Sequence, residues 1–218
     1  MGTLLTFEPP APHLRAALRA RTGVDAGEAA SVRAIRAEIA HYRAHLHEGS
    51  DAAGLAALRR ASAEAMRPAL DGAAAALSPE ELTDALLESL RFHAFPEVPG
   101  TLRELRRRSI RLVVVSNWDV SLHERLDETG LAPLLDGAIA SAEAGRAKPD
   151  PAIFGLGLAL AGAAREEAWH VGDSPEADVD GALAAGIRPV LVARHGGPEV
   201  PGVPSIATLD GLLSLVDG

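Results

Sequence analysis

The sequence predicts an α/β protein in which a parallel-sheet core is interrupted by an all-helical insertion. Three observations predict it. Residues 14–94 carry helical patterning only. Beyond Phe95-Pro96-Glu97-Val98-Pro99-Gly100, short β-branched runs alternate with helical segments. The length of 218 residues, with 47% apolar and 23% charged positions, suits one globular core plus a small insertion.

The opening segment, Met1 to Pro10, reads as the end of a strand or turn running into a bend at Pro9, Pro10 and Pro12. The insertion comes next. Val32, Ile35, Ile39, Tyr42 and Leu46 recur at helical spacing on one face, and Leu55, Leu58, Ala61 and Ala65 begin a second stripe. Ser78-Pro79-Glu80-Glu81 announces a third helix: Ser78 as N-cap, Pro79 at the first helical position, and Glu81 closing a capping box. Leu82, Leu86 and Leu90 continue it on one face. Abundant alanine and only 3% aromatic residues imply helices packed closely through small side chains. The expected boundaries are residues 1–13 and 95–218 for the core and 14–94 for the helical insertion.

In the core, Arg111–Val115, Ala168–Val171 and Pro189–Ala193 read as buried strands, with weaker candidates at Ala138–Ala140 and Ser205–Ala207. Helical patterns lie between them, around Leu122–Leu131, Ile153–Ala161 and Ala177–Ala185. Such alternation implies right-handed βαβ units and a parallel sheet.

Composition narrows the function. A net charge of −9 argues against a broad nucleic-acid surface, and the basic stretch Arg103–Arg111 reads as a solvated helix face. The absence of cysteine excludes disulfides, thiolate catalysis and Cys-ligated zinc. No run has the ~18 apolar residues of a membrane span, and no signal peptide is visible. The expectation is a soluble cytoplasmic protein, monomer or homodimer, with neither nucleic acid nor membrane as partner. His41, His45 and His47 read as part of a solvated helix face and not as a metal site.

Ligands of parallel α/β sheets bind beyond the carboxyl ends of the strands. After the strand ending at Val115 come Ser116 and Asn117, a hydroxyl and backbone N–H groups suited to phosphate oxygens. After the strand ending at Val171 come Gly172-Asp173-Ser174 and, with four residues between it and Asp173, Asp178; two such carboxylates can hold Mg2+ or orient its waters. Between these groups Lys148 precedes a helix start, where it can neutralise a phosphate as a point charge. Taken singly, each signal is weak: Ser-Asn is a common turn, Asp150 before Pro151 reads as a helix N-cap, and a lone lysine is usually a surface residue. Their order and placement change the balance, because together they describe a hard-metal phosphoryl-transfer site.

The strand followed by Ser116-Asn117, then Ala147-Lys148-Pro149-Asp150-Pro151-Ala152-Ile153-Phe154, then His170-Val171-Gly172-Asp173-Ser174 with Asp178 and Gly181-Ala182, resembles motifs II, III and IV of the haloacid dehalogenase (HAD) superfamily of hydrolases in order and spacing. The likeness covers residues 95 to about 195 closely. It implies a Rossmann-like core with a C1-type helical cap. It further implies Ser116 as the phosphate-binding hydroxyl, Lys148 as charge stabiliser, Asp173 as Mg2+ ligand and Asp178 as a supporting acidic residue at the metal. Thr3, Ser116, Asn117 and Lys148 become the expected substrate contacts, and the expected substrate is a small phosphorylated molecule.

The family's first motif is a strand ending Asp-x-Asp-Gly-Thr, whose first Asp attacks phosphorus and whose second serves as general acid and base. Here Gly2-Thr3-Leu4-Leu5 resembles its last part. Met1 then falls where the second Asp belongs, and the nucleophile lies ahead of the chain. Either the nucleophile has been lost or the true start codon lies upstream. The second is favoured, because that strand is central in the family's sheet, between the strands ending at Val115 and Val171. Its burial contributes on the order of 10 kcal/mol, against a domain stability of ~5–15 kcal/mol. The chain as written is expected to be inactive. Competing readings are a 2-haloacid dehalogenase, which uses the same nucleophile without a metal, and a phosphate-binding or interaction module without turnover.

Overall fold

The computed structural model describes residues 2–194, 196 and 200–217. Its elements run β1 (Leu5–Phe7), α1 (Pro10–Thr22), α2 (Glu28–His45), α3 (Ala52–Met66), α4 (Gly72–Ala75), α5 (Pro79–Ser89), β2 (Phe92–Ala94), α6 (Val98–Arg107), β3 (Val113–Ser116), α7 (Leu122–Glu128), β4 (Gly137–Ala140), α8 (Ser141–Ala144), α9 (Pro151–Ala161), β5 (Trp169–Gly172), α10 (Gly181–Ala184), β6 (Arg188–Val192), β7 (Ser205–Ile206) and α11 (Gly211–Leu215). They form two units: a core unit of Met1–Thr6 with His93–Gly218, and a helical unit of Phe7–Phe92.

In the helical unit, α2 packs on α3, and α5 packs on both α1 and α3. The interior is built from Leu14, Leu18, Ile35, Met66, Leu82 and Leu86, interleaved with Ala17, Ala34, Ala63 and Ala85. Each large side chain contributes about 1.5–3 kcal/mol by leaving water; the alanines let the helix backbones approach. The capping box stands as the sequence predicts: Ser78 Oγ accepts from Glu81 N at 3.2 Å, and Glu81 Oε2 accepts from Ser78 N at 2.9 Å. One carboxylate is buried here. Glu38 on α2 is 6% exposed, and burial pushes its carboxyl up to about 7.

One local expectation is overturned. Pro10 and Pro12 do not make a bend; they occupy the first turn of α1, where the amides they lack would have had no intrahelical partner. The helical unit consequently starts earlier in the chain, at Phe7, than the proline pattern suggests.

In the core unit, β3 and β4 pair in parallel, with Ser116 opposite Ala140. Strands β5, β6 and β7 form a second parallel set in that order. Among the described residues these two sets are not hydrogen-bonded to one another. Val113, Val114 and Val115, like Trp169, His170 and Val171, are only half-buried. Helix α9 covers β3 and β4 through Ile153 and Phe154, which join Ala182 and Ile187 in one cluster.

The segment expected as a helix over 177–185 begins as a wide π-type turn, Pro175–Asp180, before the short α10. The Ser174 carbonyl accepts from the amides of both Asp178 at 2.9 Å and Val179 at 3.3 Å, and this shared acceptor widens the turn. Ser174 also caps the turn, its hydroxyl accepting from Ala177 N at 3.1 Å. Among the described residues no helix is long and apolar enough to cross a membrane.

Candidate active site

The site is assembled at the ends of β3 and β5. Asn117 follows β3 and uses its amide on the backbone of Lys148: Oδ1 accepts from Lys148 N at 2.8 Å, and Nδ2 donates to Lys148 O at 2.9 Å. This two-point bridge sets where the lysine leaves the chain. Asp150 caps α9 just beyond, accepting from Ala152 N at 2.9 Å, in line with its sequence context.

The Lys148 side chain turns inward. Its Nζ donates to Asp178 Oδ1 at 2.6 Å, with the two side chains 11% and 6% exposed. The same oxygen accepts from His170 Nε2 at 2.8 Å, and Asp178 Oδ2 accepts from Ser174 N at 2.9 Å. Burial works to raise the Asp178 carboxyl, but the His170 hydrogen bond and the Lys148 charge outweigh it and hold it well below the usual carboxylate range. Burial also lowers His170 below its ordinary value, which favours the neutral imidazole. The edge of that ring meets Phe154 at 4.8 Å between centroids. Gly172 is required beside it: a Cβ there would lie 2.1 Å from Asp178 Cγ.

Asp173 begins the loop that ends at Asp178. Thr3 Oγ1 donates to its Oδ1 at 2.7 Å. Gly2 has φ +110°, and a Cβ on it would fall 2.5 Å from Asp173 Oδ2. The backbone of residues 2–3 therefore lies directly against this carboxylate. Asp173 is half-buried, and among the described residues its Oδ2 accepts no hydrogen bond. A single hard carboxylate of this kind fits Mg2+, which keeps several waters and takes one or two protein carboxylates beside substrate phosphate. Among the described residues no cluster of three or more His, Asp and Glu groups adds further ligands.

The structure thus brings together Thr3 with Asp173, and Asn117 with Lys148 and Asp178. Ser116 closes β3 one residue before Asn117, half-buried, and its hydroxyl makes no hydrogen bond to a described residue. The expected site residues spend their hydrogen bonds as follows. Asp178, a metal ligand by spacing, accepts on its two oxygens from the part-buried groups Lys148 Nζ, His170 Nε2 and Ser174 N. Position after β3 makes Asn117 a substrate contact, yet its amide is engaged on the Lys148 backbone. Thr3, also expected at the substrate, spends its hydroxyl proton on Asp173. Met1, aligned with the family's acid position, lies outside the described residues.

Trp118 and Asp119 are buried, at 8% and 3% exposure, and Trp118 Nε1 donates to Ser121 Oγ at 3.3 Å. The sequence pattern assigns His170 no role; a polar residue two positions before Gly172 in an apolar strand is the signal it offers.

Comparison with known proteins identifies a family. The family model of haloacid dehalogenase-like hydrolases matches residues 1–186. A phosphoserine phosphatase of Thermus thermophilus is 34% identical over 221 residues, covering 91% of this chain and 88% of that protein. Among solved structures, a HAD phosphatase from Thermococcus onnurineus is 25% identical with a TM-score of 0.67, covering 100% of this chain and 95% of that one. A 2-haloacid dehalogenase from Pseudomonas syringae is 26% identical with a TM-score of 0.64, at the same coverage of 100% and 95%. The chain belongs to the haloacid dehalogenase-like hydrolases, with an α/β core of Rossmann-like parallel strands and a helical cap.

Proposed function

We propose that this hydrolase is a phosphatase that uses Mg2+ to cleave a small phosphate monoester. The observation that carries the reading is the shared Gly172–Asp178 loop: one carboxylate, Asp173, accepts from Thr3 on Oδ1 and from no described residue on Oδ2, while the other, Asp178, holds the Lys148 ammonium.

Bound Mg2+ supplies charge neutralisation at the phosphoryl oxygens, and Asp173 would hold it. The chain's own groups do the rest. The Ser116 hydroxyl and the backbone N–H groups after β3 bind phosphoryl oxygens. Lys148 has donor capacity beyond Asp178 and offsets phosphoryl charge. Asp178 and Asn117 keep that ammonium in place. On this reading the protein works in the cytoplasm as a monomer or homodimer. The similarity to a phosphoserine phosphatase makes small phosphorylated metabolites the first substrates to assay.

A second reading, 2-haloacid dehalogenase, is favoured by the likeness to a solved enzyme of that kind. One experiment separates them: phosphate and halide release are measured with and without EDTA. The phosphatase reading expects EDTA-sensitive phosphate release. EDTA-resistant halide release would establish the dehalogenase.

A further inference from the structure

Arg194 stands just beyond the end of β6 and makes an unusual set of contacts for a residue outside the three motifs. Its Nε donates to Gly2 O at 2.7 Å and its Nη2 to Thr3 O at 2.7 Å. Its Nη1 pairs with Glu97 Oε1 at 2.7 Å, and the guanidinium carbon lies 3.5 Å from the centre of the Phe95 ring. Glu97 Oε1 accepts in turn from Leu209 N at 3.3 Å. The Arg194 side chain is 8% exposed. Each of the three guanidinium nitrogens therefore has a partner, and one face is covered.

We infer that Arg194 is a positioning residue for the Asp173 carboxylate, acting through the Gly2–Thr3 turn. This rests on the reading of Asp173 as the carboxylate that holds the metal. Gly2, at φ +110°, has little conformational restraint of its own, and within the turn its amide donates to Leu5 O at 2.9 Å. Two successive carbonyls bound by one rigid guanidinium fix the direction of that backbone. The Thr3 side chain projects from it onto Asp173 Oδ1. A lysine could reach one carbonyl but not hold two acceptors in a fork while pairing with Glu97. Carboxylates that bind metals depend on such supporting groups for orientation.

The test uses the full chain and Mn2+ as the probe, read by the EPR signal of the ion, beside amide hydrogen exchange at residues 2–5. Arg194→Gln is expected to weaken Mn2+ binding about tenfold, the lower end of the effect of removing a group that supports a metal ligand, and to speed exchange at residues 2–5. Arg194→Lys should fall between that variant and the parent. If Arg194→Gln does not fold, Glu97→Gln keeps the guanidinium but removes its counter-charge, and a smaller shift in both readouts is expected. In whichever variant folds, unchanged affinity overturns the inference, and so does weaker binding with unchanged exchange. Should the parent bind no Mn2+, the metal reading of Asp173 falls separately; faster exchange in the variant then still supports the clamp, and unchanged exchange overturns it.

Discussion

Lys148 and Asp178 form an enclosed ion pair in the core unit, Nζ to Oδ1 at 2.6 Å with side chains only 11% and 6% exposed. Surface pairs such as Arg15 with Asp25, at 42% and 39% exposure, contribute ~0–1 kcal/mol. A buried pair behaves differently, because removing one partner leaves the other charge without water or counter-charge.

Asp178→Ala is accordingly expected to lower unfolding stability by about 3–5 kcal/mol and to abolish phosphate release. Lys148→Met should also abolish release. The double variant should lose less stability than the two single losses added together, because neither charge is then stranded. Urea denaturation of the three variants checks this; strict additivity would mean the two groups do not interact.

Asn117→Ala separates positioning from binding. The structure commits its amide to the Lys148 backbone. The expected result is kcat lower by about 10–100-fold, as for a displaced catalytic group, with KM little changed. A rise in KM at constant kcat would make Asn117 a direct substrate contact.

Gly2→Ala places a methyl 2.5 Å from Asp173 Oδ2 at a φ of +110°. Strain of this kind costs ~1–3 kcal/mol. The Mg2+ concentration for half-maximal phosphate release should rise, while substrate affinity at saturating Mg2+ stays near that of the parent. An unchanged Mg2+ requirement would remove Asp173 from the metal.

Glu38 predicts a pH dependence in the helical unit. Its folded carboxyl sits at about 7 against an ordinary 4.5, raised by burial. The folded state holds the proton more tightly. The stability this gives is full below about 4.5 and is lost as pH rises through about 7, amounting to about 3 kcal/mol at ~1.4 kcal/mol per unit. Asp178 and His170 act in the opposite direction, since both are lowered in the fold and their share is lost as pH falls. The difference between parent and Glu38→Gln isolates Glu38. The variant should match the parent at pH 4 and exceed it at pH 8 in urea midpoint; a constant difference across that range would refute the buried acid.

The α/β class, the helical insertion and the order Ser116, Lys148, Asp173, Asp178 are legible from the sequence alone. Each depends on local rules: the period of apolar residues, β-branched runs, capping residues, and the tendency of sites to follow strand ends. The Ser78 cap and the Asp150 cap are legible for the same reason, since donor and acceptor are two or three residues apart.

The partners on which each polar group spends its hydrogen bonds are decided only by the tertiary structure. Asp178 reads as a ligand by spacing, but a lysine 30 positions back and a histidine on β5 claim its oxygen. Arg194 is within reach of the strand-end rule, since it follows β6, yet its partners sit 191 and 192 positions away. No periodicity encodes such a pairing. It arises because folding brings the ends of β5 and β6 and the Gly2–Thr3 turn to one place, where a buried charge must find its partners or destabilise the fold.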